Sequence, residues 1–210
     1  MRIRSVEGLR AEIESLGPAE IEPRAGEAGA PLAWIEVALA LPRGGRAEDV
    51  VDGLTQLGAT AISAISSEHV RPESRSLPAS RAERLRRAAL EACKQCGRLW
   101  PPRLDPVLPL AAWLARDPSG DTLVLSPPAE SALSSWLETH GRAGDTRWSE
   151  ASPLRLLVGP EGGFSESEQD LLRASGAVAV RVGPHTLRIE TAALAAMSIA
   201  AEHCIKSYRS

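Results

Sequence analysis

The chain has 210 residues, an apolar fraction of 43% and a formal net charge of −3 at neutral pH. That length allows one good-sized domain with a real core, or one domain and a fragment. The slight acidity argues against a protein that coats nucleic acid without selectivity, though not against a local basic patch.

Aromatic residues make up only 3% and cysteines number three. The core is therefore expected from Leu, Val, Ile and Ala. The odd cysteine count argues against a disulfide framework. Cys93 and Cys96 form a CxxC inside a helical pattern with no second pair, and read as thiols rather than zinc ligands. The opening MRIRSVEGLRAEIESLG lacks the apolar core of a signal peptide. No apolar run approaches the roughly 18 residues of a membrane span, so a reducing cytoplasm is the expected compartment.

Residues 1–32 are polar, with AEIES and AEIEP as candidate short strands and EPRAGEAGAP as a linker; they are too few to bury a core alone. The main domain is expected over 33–210. WIEVALAL, Trp34 to Leu41, predicts a strand. Ala47 to Leu57 predicts a helix with Val50, Val51, Leu54 and Leu57 on one face, stopped by Gly58. Ala61 to Ile65 predicts a second strand, and the β-α-β order a parallel pair.

Arg81 to Cys96 predicts a helix ending at Gly97, with Leu85, Ala88, Ala89, Ala92 and Cys96 as its apolar stripe. Its other face carries Arg84, Arg86, Arg87 and Lys94, which reads as a solvated face or as one that contacts phosphates. Prolines 101, 102, 106 and 109 predict an extended connection. Strands follow at Thr122 to Leu125, Leu154 to Val158 and Ala177 to Val182. Helices are expected at Ala129 to Thr139, at Ser165 to Ser175 with a Ser165/Glu168 capping box, and at Glu190 to Ile205. The last helix is rich in alanine, which suggests close packing against a sheet, another helix or a second subunit.

The least ordinary stretch is VGPEGGFSESEQ, Val158 to Gln169. It resembles no P-loop, because no lysine is near and Phe164 follows Gly163. GPEGG also does not match the G-x-G-x-x-G dinucleotide fingerprint. What remains is a loop offering bare backbone and a flat apolar surface, suited to an uncharged ring such as adenine, or a tight turn whose glycines serve φ > 0 alone. VGP recurs at Val182-Gly183-Pro184 after the next strand. Strands of a βαβ unit end on one sheet edge, so the two VGP loops are expected side by side around a joint pocket.

GPEGGFSESE together with VGPHTLRIETAALAA resembles the RsmE-type 16S rRNA uridine-N3 methyltransferases of the SPOUT superfamily. Upstream, ALALPRGG, QLGATAISAI, EACKQCGR and DTLVLSPPAE are similar to successive segments of that family, so the likeness runs from about Trp34 to Ile205. It implies an α/β SPOUT-type methyltransferase domain, a mainly parallel sheet flanked by helices with a C-terminal trefoil knot, an exception to the usual rule against knots. It implies S-adenosylmethionine as cofactor, held by three loops: Leu125, Ser126 and Pro127; Val158, Gly159, Pro160, Glu161, Gly162 and Gly163; and Val182, Gly183, Pro184 and Leu187. It also implies a homodimer, a 16S rRNA or 30S-subunit partner, no metal and no membrane. Residues 1–32 would be the tail of the family's N-terminal PUA-like barrel.

The sequence departs from the family pattern where Arg43 replaces a lysine, His185 an arginine and Ile189 a threonine, whereas Arg188, Glu190 and Thr191 match. For the implied reaction, Arg188 is the candidate to stabilise a uracilate and Glu190 the candidate base. The plainer readings are an arginine that locks its loop and a carboxylate favoured at a helix N-terminus. Arg43, Gln95 and Arg98 are the candidate RNA contacts. Convergence of Arg43, Arg46, Arg71, Arg84, Arg87 and Arg98 beside the pocket would favour an active enzyme. Scatter would favour a cofactor-binding, RNA-binding or scaffold protein with weak or no catalysis.

Overall fold

A computed structural model describes residues 2–7, 10–14, 31–42, 44–70, 76–116, 119–141 and 148–209. They belong to two compact units, Met1–Ala30 and Pro31–Ser210. In the first, β1 (Arg2–Glu7) and β2 (Arg10–Glu14) pair antiparallel. The AEIES strand coincides with β2 over Ala11–Glu14, and its Ser15 and the AEIEP segment lie outside the described residues.

The second unit runs β3 (Ile35–Leu39), α1 (Arg46–Gln56), β4 (Ala61–Ser66), α2 (Ala79–Cys96), β5 (Arg103–Pro109), α3 (Leu110–Arg116), β6 (Asp121–Leu125), α4 (Leu133–His140), β7 (Leu154–Val158), α5 (Glu166–Ala174), β8 (Val178–Val180) and α6 (Ile189–Arg209). Gly58, Gly97 and Gly176 follow their helices at positive φ, the left-handed turn that glycine adopts without a Cβ penalty.

The sheet has six strands in the order β5-β4-β3-β7-β6-β8, and every neighbouring pair is parallel. Two expectations change. The proline-rich stretch is a strand rather than a bare connection. It sits at the sheet edge, where a missing N–H costs no ladder bond, and Pro106 falls at a register shift opposite Ala64. The two VGP loops are not adjacent, because β6 lies between β7 and β8. The α5 crossover skips one strand, so a third loop enters the space between them.

The central strands are covered on both faces, as a parallel sheet requires. Val37, Leu39, Leu123, Leu154, Leu156 and Val158 join residues of α1, α2, α4 and α6 in one cluster. Alternate residues Ala38, Val124 and Leu157 join Trp113 and Leu114 of α3 and Leu172 of α5 in the other. On that second face two charged residues sit in register, Glu36 on β3 and Arg155 on β7. Both are buried and 3.5 Å apart. Ser63 Oγ (2.5 Å) and Trp113 Nε1 (2.9 Å) donate to the Glu36 carboxylate, and the Arg155 guanidinium stacks on the Trp113 ring. A buried ion pair persists only with such additional partners.

The alanines of α6 have an intrachain use. Ala192, Ala193, Ala196 and Ala200 are buried in the larger cluster, where α6 meets α1, α4, β7 and β3. Gly53 of α1 completes the close approach, since a Cβ there would lie 2.6 Å from Leu194 Cδ2.

Candidate functional site

Because all six strands are parallel, their C-terminal ends share one edge. There the loops after β6, β7 and β8 enclose a cavity of about 530 Å³, within the ordinary range of small-molecule sites. Its wall includes Leu125, Ser126 and Pro127 from the first loop, Val158 through Gly163 from the second, and Val182, Gly183 and Leu187 from the third. Of the thirteen residues expected to hold a cofactor, Pro184 alone is not part of the wall. Phe164, Gln169, Leu172, Arg173, Ala177, Ala179, His185 and Ile189 also line it. His185 and Ile189 are departures already noted in the sequence; Gln169, Leu172, Arg173 and Ala179 escape it because they lie on α5 and β8, whose spacing signals helix and strand but not a shared wall.

The second loop is a closed turn. Gly163 N–H donates to Pro160 O at 2.8 Å and Gly163 has φ +71°. Its glycines serve different ends. A Cβ on Gly159 would lie 2.8 Å from the Phe164 ring, whereas one on Gly163 would meet nothing within 4 Å; the first is a steric requirement and the second a conformational one. The turn runs into α5 through the expected capping box. Glu168 N–H donates to Ser165 Oγ, and Ser165 N–H to Glu168 Oε2.

The first and third loops are bound to each other. Ser126 N–H donates to Val180 O (2.9 Å), Arg181 N–H to Ser131 O (2.9 Å), and Leu133 N–H to Arg181 O (2.9 Å). The Arg181 guanidinium donates to the carbonyls of Ala129 and Glu130. Among the lining residues only Glu161, Arg173 and His185 carry ionisable side chains. The wall therefore suits a largely uncharged guest with a few polar contacts.

Arg188 and Glu190 follow the third loop at the start of α6, outside the wall. Arg188 is exposed, and its carbonyl accepts the first helical bond, from Ala192 N–H. Glu190 is half-buried and ion-paired with Arg46 at 3.3 Å. Gln95 is exposed on α2, and Arg43 lies outside the described residues. Arg98 is committed internally: it donates to the carbonyls of Thr55 (2.8 Å) and Ala59 (2.6 Å) and stacks on Trp100. Desolvation lowers its pKa to about 10, which leaves it charged at neutral pH.

The cationic face of α2 is largely compensated. Arg84 pairs with Glu48, Arg86 with Glu83 and Lys94 with Glu91, which favours the solvated-face reading. Cys93 and Cys96 both donate weakly to backbone carbonyls. Among the described residues no three His, Cys, Asp or Glu side chains are grouped to hold a metal, and no helix is long and apolar enough to cross a membrane.

Residues 29–201 match the model of the RNA methyltransferase domain family. The chain belongs to that family. Among its relatives are two proteins named ribosomal RNA small subunit methyltransferase E. That of Synechocystis sp. is 28% identical over 78% of this chain and 52% of its own length. That of Mycobacterium bovis is 32% identical over 78% of this chain and 61% of its own length. The chain thus spans between half and two thirds of these relatives. The family fold extends to a crystal structure of ribosomal RNA small subunit methyltransferase E from Neisseria gonorrhoeae bound to S-adenosyl methionine. It has a TM-score of 0.62 and 28% identity, covering 79% of this chain and 64% of that one.

Proposed function

We propose that this chain binds S-adenosylmethionine in the three-loop cavity and transfers its methyl group to N3 of a uridine in 16S rRNA. The observation that carries the reading is the convergence of the loops after β6, β7 and β8 on one mostly uncharged cavity, in a chain of the RNA methyltransferase family. Gly163 leaves backbone bare on the second loop, where a flat ring would lie against it. When bound, the cofactor supplies an electrophilic methyl on a sulfonium.

The chain's own task is to place the uracil nitrogen in line with that methyl and to handle the N3 proton. Arg188, exposed beside Leu187 and Ile189 of the wall, is proposed to stabilise the uracilate electrostatically. Glu190 remains the candidate base, and to act so it must release Arg46. Gln95 and Arg43 are retained as proposed RNA contacts, and Arg98 is proposed to act only through the loop that it braces.

We further propose that the C-terminal segment forms a trefoil knot. The bonds between Arg181 and residues 129–133, followed by the return of α6 across β7 and β3, support that path. A homodimer in the cytoplasm completes the reading. The exposed Val178 on the edge strand β8 is apolar surface that a second copy would cover.

One observation favours a second reading, a donor-binding protein with weak or no catalysis. Arg46, Arg84 and Arg98 are each engaged within the chain rather than gathered free beside the cavity. Calorimetry with S-adenosylmethionine, ATP and NAD tests what the two readings share. Selective binding of the methyl donor is expected, and a preference for ATP or NAD would refute both.

A further inference from the structure

The loop after β4 was assigned no role by the sequence, yet it reaches across the sheet edge to the glycine turn. Val70 N–H closes it on Ser67 O at 3.1 Å. Three side-chain bonds then tie it to the turn and to the start of α5. Glu68 N–H donates to Glu168 Oε1 at 2.9 Å. Ser167 Oγ donates to Glu68 Oε1 at 2.8 Å. His69 Nδ1 lies 2.8 Å from Gly163 O.

The last contact has a definite chemistry. A carbonyl oxygen only accepts, so the hydrogen must be on Nδ1 of His69. The His69 side chain also packs on the turn, since a Cβ on Gly162 would lie 3.4 Å from His69 Cβ. Gly163 is thus held at both ends of its residue. Its N–H goes to Pro160 O inside the turn and its carbonyl to His69 outside it. A glycine at φ +71° has many alternatives open to it, and these two bonds select one.

We infer that His69 is a positioning residue for cofactor binding: its Nδ1–H clamps the Gly163 carbonyl and presents the glycine turn in the shape that receives the methyl donor. His69 does not line the cavity and acts through Gly163. The inference rests on the proposed donor site, so the test separates the clamp from that site.

Three proteins are compared: the wild type, His69→Ala and His69→Asn. Asparagine places its amide N–H close to where Nδ1 sits and is the conservative rescue. In the ligand-free wild type, nitrogen-15 imidazole spectra should show the Nδ1–H tautomer at His69. Amide exchange at Gly162 to Phe164 should be faster in His69→Ala and restored in His69→Asn. Donor affinity by calorimetry should fall about fivefold in His69→Ala, the size of one net hydrogen bond, and recover in His69→Asn.

An Nε2–H tautomer, unchanged affinity in His69→Ala, or an asparagine variant as weak as the alanine one would overturn the inference. If the wild type binds no methyl donor, the site reading fails and takes the binding role with it. The tautomer and exchange data then still decide whether the clamp exists. Should His69→Ala not fold, the wild-type tautomer and the asparagine variant decide alone.

Discussion

Replacing Gly163 by alanine isolates the conformational part of the glycine turn. The residue has φ +71° and no heavy atom within 4 Å of an added Cβ, so the variant meets no clash. The cost is that of holding an L-residue in left-handed backbone, about 1–2 kcal/mol. The free turn can escape it by rotating the Gly163 peptide away from Pro160 O and His69. A bound ring requires the original shape, so the cost appears on binding.

At 1.4 kcal/mol per factor of ten, donor affinity should fall about five- to thirtyfold. Gly162→Ala is the matched control, because its Cβ would stand 3.4 Å from His69 Cβ, and it should bind nearly as the wild type. Gly159→Ala should be worse than the control, with its Cβ 2.8 Å from the Phe164 ring. Calorimetric titration with the methyl donor measures all three. Wild-type affinity in Gly163→Ala, or equal losses at 162 and 163, would refute this account of the turn.

Glu168→Ala removes both the capping-box acceptor and the acceptor of Glu68 N–H. It should cost about 1–2 kcal/mol and lower the melting temperature by several degrees in calorimetry. Arg155→Met strips the buried Glu36 of its ion partner and should destabilise by about 3–5 kcal/mol in urea titration; the double replacement with Glu36→Leu should recover part of that loss. Burial pushes the Cys204 thiol up to about 11 and raises that of Cys93. Since the thiolate is the reactive form, alkylation near pH 8 should reach the exposed Cys96 first. Cys204 should react only as the pH approaches its raised value or as the chain unfolds, and peptide mapping over time distinguishes the order.

Much of the fold was legible because its signals are local. The apolar runs around Val37 and Leu156 and the stops at Gly58, Gly97 and Gly176 each act within a few residues. The capping box at Ser165 does the same. What sequence could not reveal was strand order. Nothing in the second VGP says that β6 will lie between it and the first, because that placement depends on a crossover that skips one strand. Proline also misled at Pro106 and Pro109, where an edge position removes the need for its missing N–H.

The cavity wall was legible from motifs to the extent that loops form it, and illegible where α5 and β8 contribute, as at Gln169 and Ala179. Charge signals were the least reliable guide. The arginines of α2 look free in one dimension, and in three they face Glu48, Glu83 and, from the loop end, the carbonyls of Thr55 and Ala59. His69 was invisible because its partner is a backbone carbonyl 94 residues away.

The most direct test of the central claim is to incubate the protein with labelled methyl donor and 30S subunits, or naked 16S rRNA, from a strain lacking the uridine modification, and to map the methylated base. The account predicts label on N3 of a single uridine, lost in Arg188→Ala. Donor binding without any methylated uridine would contradict it and leave a cofactor-binding protein in its place.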